Sequence, residues 1–384
     1  MKVAILMLNA GRGSGEAARQ HVRYLIKQGH KVFLLYPGNV NDVPEAVNIN
    51  IPLDTDIMPV HEYLPSAANK QKQVARMTYE EAVAYLPGYT LALERIAADI
   101  DIIIGHHANL TAIATHETAM KYKLPYVLFL HGTGIEPRHM ELWDNRLWQR
   151  ISSAIEHADG LLVTTAYVKD ELVRPLIRVP DSRYLILPCG IDLEEMQPGN
   201  VQGIRDKYQL PDRFVISPGA LTYMKGPQNV VEASKEYADL AKTILIGEGG
   251  LKDKLKKDLG ERGFLLGFVS REDKARLISA ADILVAAPEK KEHFGIIYAE
   301  ALAAGTPVVA YSGGGVGSIV TPDAGILTER SPRELGRNIR RLLMQPELAE
   351  RFSLNGRKRA EENFNNERLV ARLAGWLEVL ISKK

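Results

Sequence analysis

The chain of 384 residues is long enough for two domains, and with 46% hydrophobic and 25% charged residues it has an ordinary globular composition. The formal net charge of +1 excludes a global bias towards nucleic acid or an anionic surface, and a lone cysteine, Cys189, excludes an internal disulfide framework. No apolar run approaches the roughly 18 residues of a membrane span. We therefore expect a cytoplasmic protein, with peripheral membrane contact left open, and a structural or incidental role for Cys189.

Short apolar runs alternate with helical patterns along the first half of the chain. The first run opens into a glycine-rich turn, and a helical pattern at residues 16–29 then ends on a glycine. The strands predicted in this half lie at residues 2–8, 31–36, 101–105, 126–130, 160–164 and 184–187. This alternation is typical of parallel strands covered by helices.

The same alternation begins again after a cluster of turn-forming residues between 188 and 200. The strands of this second series are predicted at residues 213–217, 243–246, 264–266, 283–286, 308–311 and 325–327. The sequence therefore predicts two doubly wound α/β domains around a cleft, with ligands at the carboxyl ends of the strands. A helical tail follows, and Trp376, Leu377 and Leu380 indicate that its last helix packs against the protein.

Residues 54–100 depart from this alternation and carry helical patterns at 71–86 and 90–100. Lys70, Lys72 and Arg76 make part of the segment basic, which indicates either a solvated face or contact with a membrane or an acceptor. The Asp-x-Asp pairs of the chain, at 54–56 and 99–101, are not expected to bind a metal.

The first glycine loop reads Asn-Ala-Gly-Arg-Gly-Ser-Gly-Glu from residue 9 to residue 16. A dinucleotide fingerprint needs glycine or alanine where this chain has Glu16, and an acid near the end of the second strand, where this chain has Tyr36 and Pro37. The loop therefore argues against NAD. It suits a phosphate or an oxyanion, because it opens onto a helix, although a tight turn would explain it equally.

Two further motifs follow strands and so are expected at the same edge of their sheets. His131 precedes Gly132-Thr133-Gly134 and could donate a hydrogen bond to a sugar hydroxyl or stabilise developing charge, although lone histidines are usually structural. His106 and His107 also follow a strand and receive no assigned role. Lys225 follows the first strand of the second series and could neutralise a leaving diphosphate, the alternative being a surface lysine.

The segment from Glu292 to Glu300 is the most informative part of the chain. Gly295 lies where a helix is predicted to begin, and the free N–H groups of a helix start attract phosphate. Glu300 lies about one and a half turns further on, and helical side chains lean back towards the N-terminus. One segment can thus hold an anion and accept hydrogen bonds from hydroxyls, as a sugar nucleotide requires. Two solvated glutamates on an ordinary helix are the alternative.

In this order the motifs resemble the retaining family-four glycosyltransferases of GT-B fold. The resemblance is dense from about residue 184 to 330 and thinner before it, and the two-glutamate segment followed by Gly-Thr-Pro-Val-Val is its specific part. The matching elements are the first glycine loop and residues 131–133, 190–192, 225–226, 247–249, 264–269, 292–300, 303–309 and 313–315.

The resemblance implies the organisation of the molecule. Two doubly wound, Rossmann-like domains of a GT-B fold would face a central cleft, with an acceptor-side domain at residues 1–189 and a nucleotide-sugar-binding domain at 190–365. A final helix at 366–384 would pack back towards the first domain.

It also implies roles for individual residues. The catalytic residues would be His131, Lys225 and Glu292. His131 and Glu292 would contact the donor sugar, and Lys225 would contact the diphosphate. Glu300 would bind the ribose hydroxyls. The remaining donor-binding candidates are Gly13, Ser14 and Gly15 close to the diphosphate and the acceptor, Phe268 and Val269 near the base, and Phe294, Gly295, Ile296 and Ile297 around the sugar and diphosphate. Acceptor choice is expected in the first domain, with Arg12 and Arg138 as candidates and a plain surface position as the alternative for Arg138.

The implied activity is transfer of a hexose-type sugar, with retention, from a UDP- or GDP-sugar to an unidentified hydroxyl acceptor. The acceptor would be a sugar, a lipid-linked sugar or a small hydroxyl compound. No nucleic acid and no metal would take part. No cofactor would be needed either, since the nucleotide sugar is a co-substrate. The alternatives are a nucleotide-sugar epimerase of the same fold and a catalytically weak nucleotide-sugar-binding protein.

Two positions depart from the family pattern. Ala220 stands where the family usually has an arginine that pairs with the lysine on the diphosphate, and Ser318 stands where a glutamate is frequent. Loss of a bidentate arginine weakens phosphate binding, because lysine does not reproduce its geometry. Arg12, Lys290 and Lys291 are the candidates to compensate.

Overall fold

The fold was taken from a computed structural model that describes residues 1–11, 13–38, 43–63, 70–199, 201 and 203–384. The described residues divide into two compact units. The first unit consists of Met1–Gly190 together with Asn366–Lys384, and the second consists of Ile191–Asn365.

The elements of the chain up to residue 190 alternate between strands and helices. They are β1 (Lys2–Leu6), α1 (Gly13–Lys27), β2 (Lys31–Tyr36), β3 (Val47–Asn50), β4 (Ile57–Val60), β5 (Lys70–Gln73), α2 (Tyr79–Val83), α3 (Leu86–Glu94), β6 (Ile102–His106), α4 (Leu110–Tyr122), β7 (Tyr126–Leu130), α5 (Glu136–His139), α6 (Asn145–Glu156), β8 (Gly160–Val163) and β9 (Tyr184–Ile186).

The remaining elements repeat the alternation and end in consecutive helices. They are α7 (Ile204–Tyr208), β10 (Phe214–Pro218), α8 (Pro227–Ala233), β11 (Lys242–Ile246), α9 (Lys252–Leu259), β12 (Gly263–Gly267), α10 (Arg271–Ala280), β13 (Ile283–Ala286), α11 (Ile296–Ala303), β14 (Val308–Tyr311), β15 (Gly325–Thr328), α12 (Pro332–Leu343), α13 (Pro346–Asn363) and α14 (Asn366–Ile381).

The described part of the first unit contains a parallel sheet of seven strands in the order β3-β2-β1-β6-β7-β8-β9. Alternate residues of β1 point to opposite faces, so Ala4 and Leu6 enter one apolar cluster while Val3 and Ile5 enter another. Both faces are buried, which explains why the strands read as continuous apolar runs. The strand order reverses between β1 and β6, where ligands of such sheets bind.

The last helix, α14, belongs to the first unit. Its residues Val370, Leu373 and Leu377 are buried in the same apolar cluster as Val3 and Ile5. The fit is tight at Gly160, where an added Cβ would overlap the ring of Trp376. The helix therefore forms part of the hydrophobic core of this unit.

In the described part of the second unit, six parallel strands form a sheet in the order β12-β11-β10-β13-β14-β15. Its central strands contribute Val215, Leu245, Val285 and Val309 to a buried cluster under α8 and α12. The prediction of two doubly wound α/β domains is therefore confirmed.

The segment at 54–100 differs from its prediction. The pattern at 71–86 was expected to be helical, but the chain forms β5, which pairs in parallel with β4, and α2 begins only after Thr78. Thr78 fixes that start: its hydroxyl accepts from the Glu81 N–H at 3.2 Å, and the Glu81 carboxylate accepts from the Thr78 N–H at 2.9 Å. The pattern at 90–100 is likewise displaced, because α3 is already complete at Glu94. No described helix is both long and apolar enough to cross a membrane.

Candidate active site

The first glycine loop joins β1 to α1 through closely packed backbone. An added Cβ at Gly15 would overlap the carbonyl oxygen of Ala10, so the helix can begin this close to the loop only with glycine. The Gly11 N–H, at a φ of 64°, donates to Asn9 Oδ1 at 2.8 Å. Gly13 is exposed and Ser14 half-buried, which leaves the start of α1 accessible to an anion. The predicted donor roles of Gly13, Ser14 and Gly15 stay predictions, and Arg12 lies outside the described residues.

His131 lies directly after β7 and is only 7% exposed. Its Nε2 is 3.1 Å from His106 Nδ1, and its ring centroid is 4.5 Å from that of His107. Sequence reasoning left His106 and His107 without a role. The histidines meet because β6 and β7 are neighbouring parallel strands, whose carboxyl ends lie at one edge of the sheet.

Arg138 has partners on α6. Its guanidinium donates to Asn145 Oδ1 at 2.8 Å and lies 5.5 Å from the ring centroid of Trp148. These contacts hold α5 against α6. The expected part of Arg138 in acceptor binding stays a prediction.

In the second unit, Lys225 and Glu292 form an ion pair, with Lys225 Nζ 2.8 Å from Glu292 Oε1. Lys225 comes from the loop after β10, and Gly226 holds that loop against the end of β13, since an added Cβ would overlap the carbonyl oxygen of Ala287. Gly226 also has a φ of 69°, which favours glycine. Lys225 and Glu292 are far apart in the sequence but meet because they follow β10 and β13, which are neighbouring strands.

A second glycine-rich loop, at residues 312–317, fixes the backbone of Glu292. The Gly315 N–H donates to the Glu292 carbonyl oxygen at 2.7 Å, and Glu292 and Gly314 form a parallel β-bridge. An added Cβ at Gly314 would overlap that carbonyl. Ser318, where the family frequently has a glutamate, donates from its hydroxyl to the Gly315 carbonyl at 2.6 Å and so closes the same loop.

Gly295 is the N-cap of helix α11 and has a φ of 88°. An added Cβ here would overlap the ring of Tyr298, so glycine is required by both conformation and space. Phe294 is buried, with its ring centroid 6.0 Å from that of Phe364, whereas Ile296 and Ile297 are half-buried. Phe294 can therefore meet a ligand through its backbone rather than its ring.

Glu300 is only 8% exposed, and its two carboxylate oxygens differ. Oε1 lies 2.6 Å from Lys274 Nζ, while Oε2 is buried without a hydrogen-bond partner among the described residues. A buried carboxylate oxygen without a donor is unfavourable unless a ligand supplies one. Sequence reasoning did not foresee Lys274, which comes from α10.

Phe268 and Val269 follow β12 and differ in exposure. Phe268 is 85% exposed, an unusual state for a large aromatic ring, whereas Val269 is 9% exposed. Their predicted contact with a base stays a prediction.

Ala220 lies in a loop that packs against the loop after β11. The Leu221 N–H donates to the Glu248 carbonyl at 3.0 Å, and an added Cβ at Gly247 would overlap the carbonyl of Gly219. At Gly219 itself an added Cβ would meet no atom within 4 Å. Space for a larger side chain thus borders the position where the family has arginine.

The described residues of the second unit therefore combine an ion-paired lysine, a helix start and a buried carboxylate with one unsatisfied oxygen. Such a set can hold a phosphate group and accept hydrogen bonds from hydroxyls. In the described part of the chain, no group of three or more His, Cys, Asp or Glu side chains is arranged to hold a metal ion.

Comparison with known families matches both halves of the chain. The model of Glycosyltransferase Family 4 matches residues 11–195, and the model of glycosyl transferases group 1 matches residues 202–359.

Curated relatives match over part of their length. A GDP-mannose-dependent alpha-(1-6)-phosphatidylinositol dimannoside mannosyltransferase from Mycobacterium tuberculosis is 28% identical over 210 residues, which are 53% of each chain. A D-inositol 3-phosphate glycosyltransferase from Mycobacterium sp. is 33% identical over 175 residues, 42% of this chain and 39% of the relative. The chain thus spans about half, or less, of the length of these relatives.

Solved structures with similar folds cover the whole chain. Sucrose-phosphate synthase from Thermosynechococcus elongatus has a TM-score of 0.81 at 20% identity, covering 100% of this chain and 99% of that one. Anabaena HepE in complex with UDP has a TM-score of 0.77 at 16% identity, covering 98% and 99%. At such identities these likenesses show the GT-B fold alone.

Proposed function

Since the chain belongs to the family 4, group 1 glycosyltransferases, whose models match its two halves, we propose that it transfers a hexose-type sugar from a UDP- or GDP-sugar to an acceptor hydroxyl. The transfer proceeds with retention of configuration at the anomeric carbon. The names of one relative and of one structural neighbour contain GDP-mannose and UDP respectively, which supports a nucleoside-diphosphate donor.

The unsatisfied Oε2 of Glu300 is the observation that carries the donor proposal. A ribose hydroxyl supplies the donor that this oxygen lacks, and Lys274 holds the other oxygen in place. The start of α11 then lies on the N-terminal side of Glu300, where its free N–H groups meet the diphosphate.

Lys225 and Glu292 are proposed to act on the reacting end of the donor. As the bond between the anomeric carbon and the diphosphate oxygen breaks, the bonding electrons leave with the diphosphate, and Lys225 neutralises part of this charge. The acceptor oxygen bonds to the anomeric carbon on the same face, and its proton passes to the departing diphosphate. Glu292 orients the sugar, and His131 donates to or accepts from a sugar hydroxyl.

We propose that this chemistry proceeds without an obligatory metal or cofactor, because lysine and backbone amides carry the charge of the leaving group. Activity should then persist in EDTA. Complete loss of activity in EDTA, restored by one divalent cation, would contradict this part of the proposal.

The first test is a thermal-shift panel of UDP, GDP and ADP, followed by their sugars with candidate acceptors and NMR of the product anomer. Stabilisation by UDP or GDP and acceptor-dependent release of the nucleotide would support the transferase. Conversion of the sugar nucleotide to an epimer without an acceptor would favour the epimerase. Binding of the nucleotide with no turnover of any donor would favour a binding protein.

A further inference from the structure

Lys225 and Glu292 share one ion pair in the second unit, and the lysine is its more open member. Lys225 Nζ lies 2.8 Å from Glu292 Oε1, with 38% of the lysine side chain exposed against 17% of the glutamate side chain. An anion can therefore reach the lysine while the ion pair is still formed. The anion and the carboxylate would then share a single positive charge.

The carboxylate of Glu292 is held close to the start of α11. The Gly315 N–H donates to the Glu292 carbonyl oxygen at 2.7 Å, and an added Cβ at Gly314 would overlap the same carbonyl. The charge of Glu292 also reaches the first turn of the helix, because burial raises the pKa of Tyr298 and this charge raises it further. The ring of Tyr298 packs against Gly295, the N-cap of α11. A phosphate at this helix start would therefore lie close to a fixed negative charge.

The diphosphate of the proposed donor depends strongly on Lys225. The start of α11 supplies N–H groups and a partial positive charge, whereas the lysine supplies a full one. The position at which the family usually has an arginine for the diphosphate is occupied by Ala220. Glu292 thus competes with the diphosphate for a cation that no arginine at position 220 supplements.

The donor and the product of the proposed reaction meet Glu292 differently. In a sugar nucleotide each phosphate carries one negative charge, and the sugar hydroxyls can donate hydrogen bonds to a carboxylate. After transfer the sugar has left, and the terminal phosphate keeps the proton of the acceptor hydroxyl only below its second pKa, which is about 6. Near neutral pH the product therefore presents a second negative charge to Glu292 and no sugar hydroxyl.

We propose that Glu292 promotes release of the nucleoside diphosphate after transfer, by competing with its terminal phosphate for Lys225. No covalent bond changes in this step. The ammonium of Lys225 exchanges the phosphate for Glu292 Oε1 and restores the ion pair at 2.8 Å. The inference rests on the proposed transferase function and adds a second role for Glu292, which binds the sugar of the donor and weakens the binding of the product.

Glu292→Gln tests this role, because it removes the charge with little change of shape. The amide oxygen still accepts from Lys225, and the amide NH₂ group can donate to a phosphate. The Kd of UDP or GDP should fall about tenfold, as measured by calorimetry on the full chain at about pH 7.5. The Kd of UDP-glucose or GDP-mannose should stay unchanged or rise, because the sugar loses a carboxylate acceptor. UMP and GMP lack the terminal phosphate, so their Kd should change by less than about twofold.

Three further variants complete the test. Glu292→Ala also removes the charge and should tighten the binding of UDP or GDP, which keeps the test open if the glutamine variant does not fold. Lys225→Met removes the other member of the ion pair and should weaken the binding of these diphosphates about tenfold. A purely structural ion pair would instead give both members the same direction of change. Glu232→Gln removes the charge from an exposed ion pair with Lys235 in the same unit and should change no Kd by more than about twofold.

An unchanged or higher Kd of UDP and GDP in the folded variants of Glu292 would overturn the inference. An equal fall in the Kd of the sugar nucleotide would overturn it too, because the carboxylate would then not distinguish product from donor. Failure of the wild type to bind any of these nucleotides would contradict the proposed function itself, and the inference with it. The two failures are distinguishable, because the first is observed only where the wild type binds a nucleotide.

Discussion

Replacing Glu300 by glutamine tests the donor site with little change of shape. In the native chain Oε1 holds Lys274 at 2.6 Å and Oε2 lacks a partner. The glutamine amide has one oxygen and one NH₂ group. Since the Lys274 ammonium only donates, the amide oxygen must turn towards it, which places the NH₂ group where Oε2 was. A ribose hydroxyl would then meet a donor instead of a carboxylate acceptor.

The expected loss follows from the bond that is removed. A hydrogen bond to a charged group contributes about 1.5–3 kcal/mol, so the Kd of the nucleotide should rise about 10- to 100-fold. At a hundred times the native Kd, a nucleotide stabilises the native protein by about 2.7 kcal/mol. At the same concentration, a 30-fold weaker variant would gain only about 0.9 kcal/mol.

The assay is the melting shift with UDP or GDP, supported by calorimetric Kd values. Glu232→Gln is the matched control, because Glu232 forms an exposed ion pair with Lys235 on the surface of the same unit. The double variant Lys274→Met/Glu300→Gln releases the amide oxygen and should recover part of the affinity. An unchanged nucleotide shift in Glu300→Gln would refute the assignment of Glu300 to the ribose.

Three further predictions concern stability and the diphosphate. Stability should fall as the pH drops from about 6.5 towards about 4, because the unfolded chain binds protons that the buried neutral histidines of the first unit do not bind. Over this range each of these histidines should lower the free energy of unfolding by up to about 3 kcal/mol, as measured by urea unfolding at several pH values. A flat profile would contradict their burial. Burial lowers the pKa of these groups to about 4 for His21, about 4 for His61 and about 3 for His106. Ala220→Arg should tighten nucleoside-diphosphate binding about tenfold without improving the binding of the free nucleoside, and no gain would show that another base already fills this role. Gly226→Ala should lower stability by at least about 2 kcal/mol, whereas Gly219→Ala, where an added Cβ meets no atom within 4 Å, should leave the melting temperature nearly unchanged; equal effects would refute the close approach of Gly226 to Ala287.

The sequence predicted the strands well because each is a short buried run between turn residues. Lys31–Tyr36 and Ile283–Ala286 match their predicted bounds. The segment from residue 71 was misread because its apolar spacing resembles a helix, while the decisive signal, the capping box at Thr78, lies in the middle of the pattern. Local periodicity therefore indicates that a helix is present but does not fix the residue at which that helix begins.

The site was only partly predictable for a different reason. The spacing of Gly295 and Glu300 can be read from the sequence, because both residues lie in one segment. Lys274 does not, because its contact with Glu300 depends on how α10 packs against α11. The hydrogen bond between His106 and His131 likewise requires the pairing of β6 with β7, which a single sequence does not display.

The place of α14 in the first unit affects how the chain folds as it is synthesised. The second unit is one uninterrupted stretch, Ile191–Asn365, and all of its residues are synthesised before those of the last helix. The first unit is begun first but finished last, because the apolar surface around Val3 and Ile5 stays uncovered until Val370, Leu373 and Leu377 arrive. A nascent chain that ends at residue 365 should therefore expose this surface to chaperones and proteases. Limited proteolysis of released chains that end at residues 365 and 384 would measure the difference.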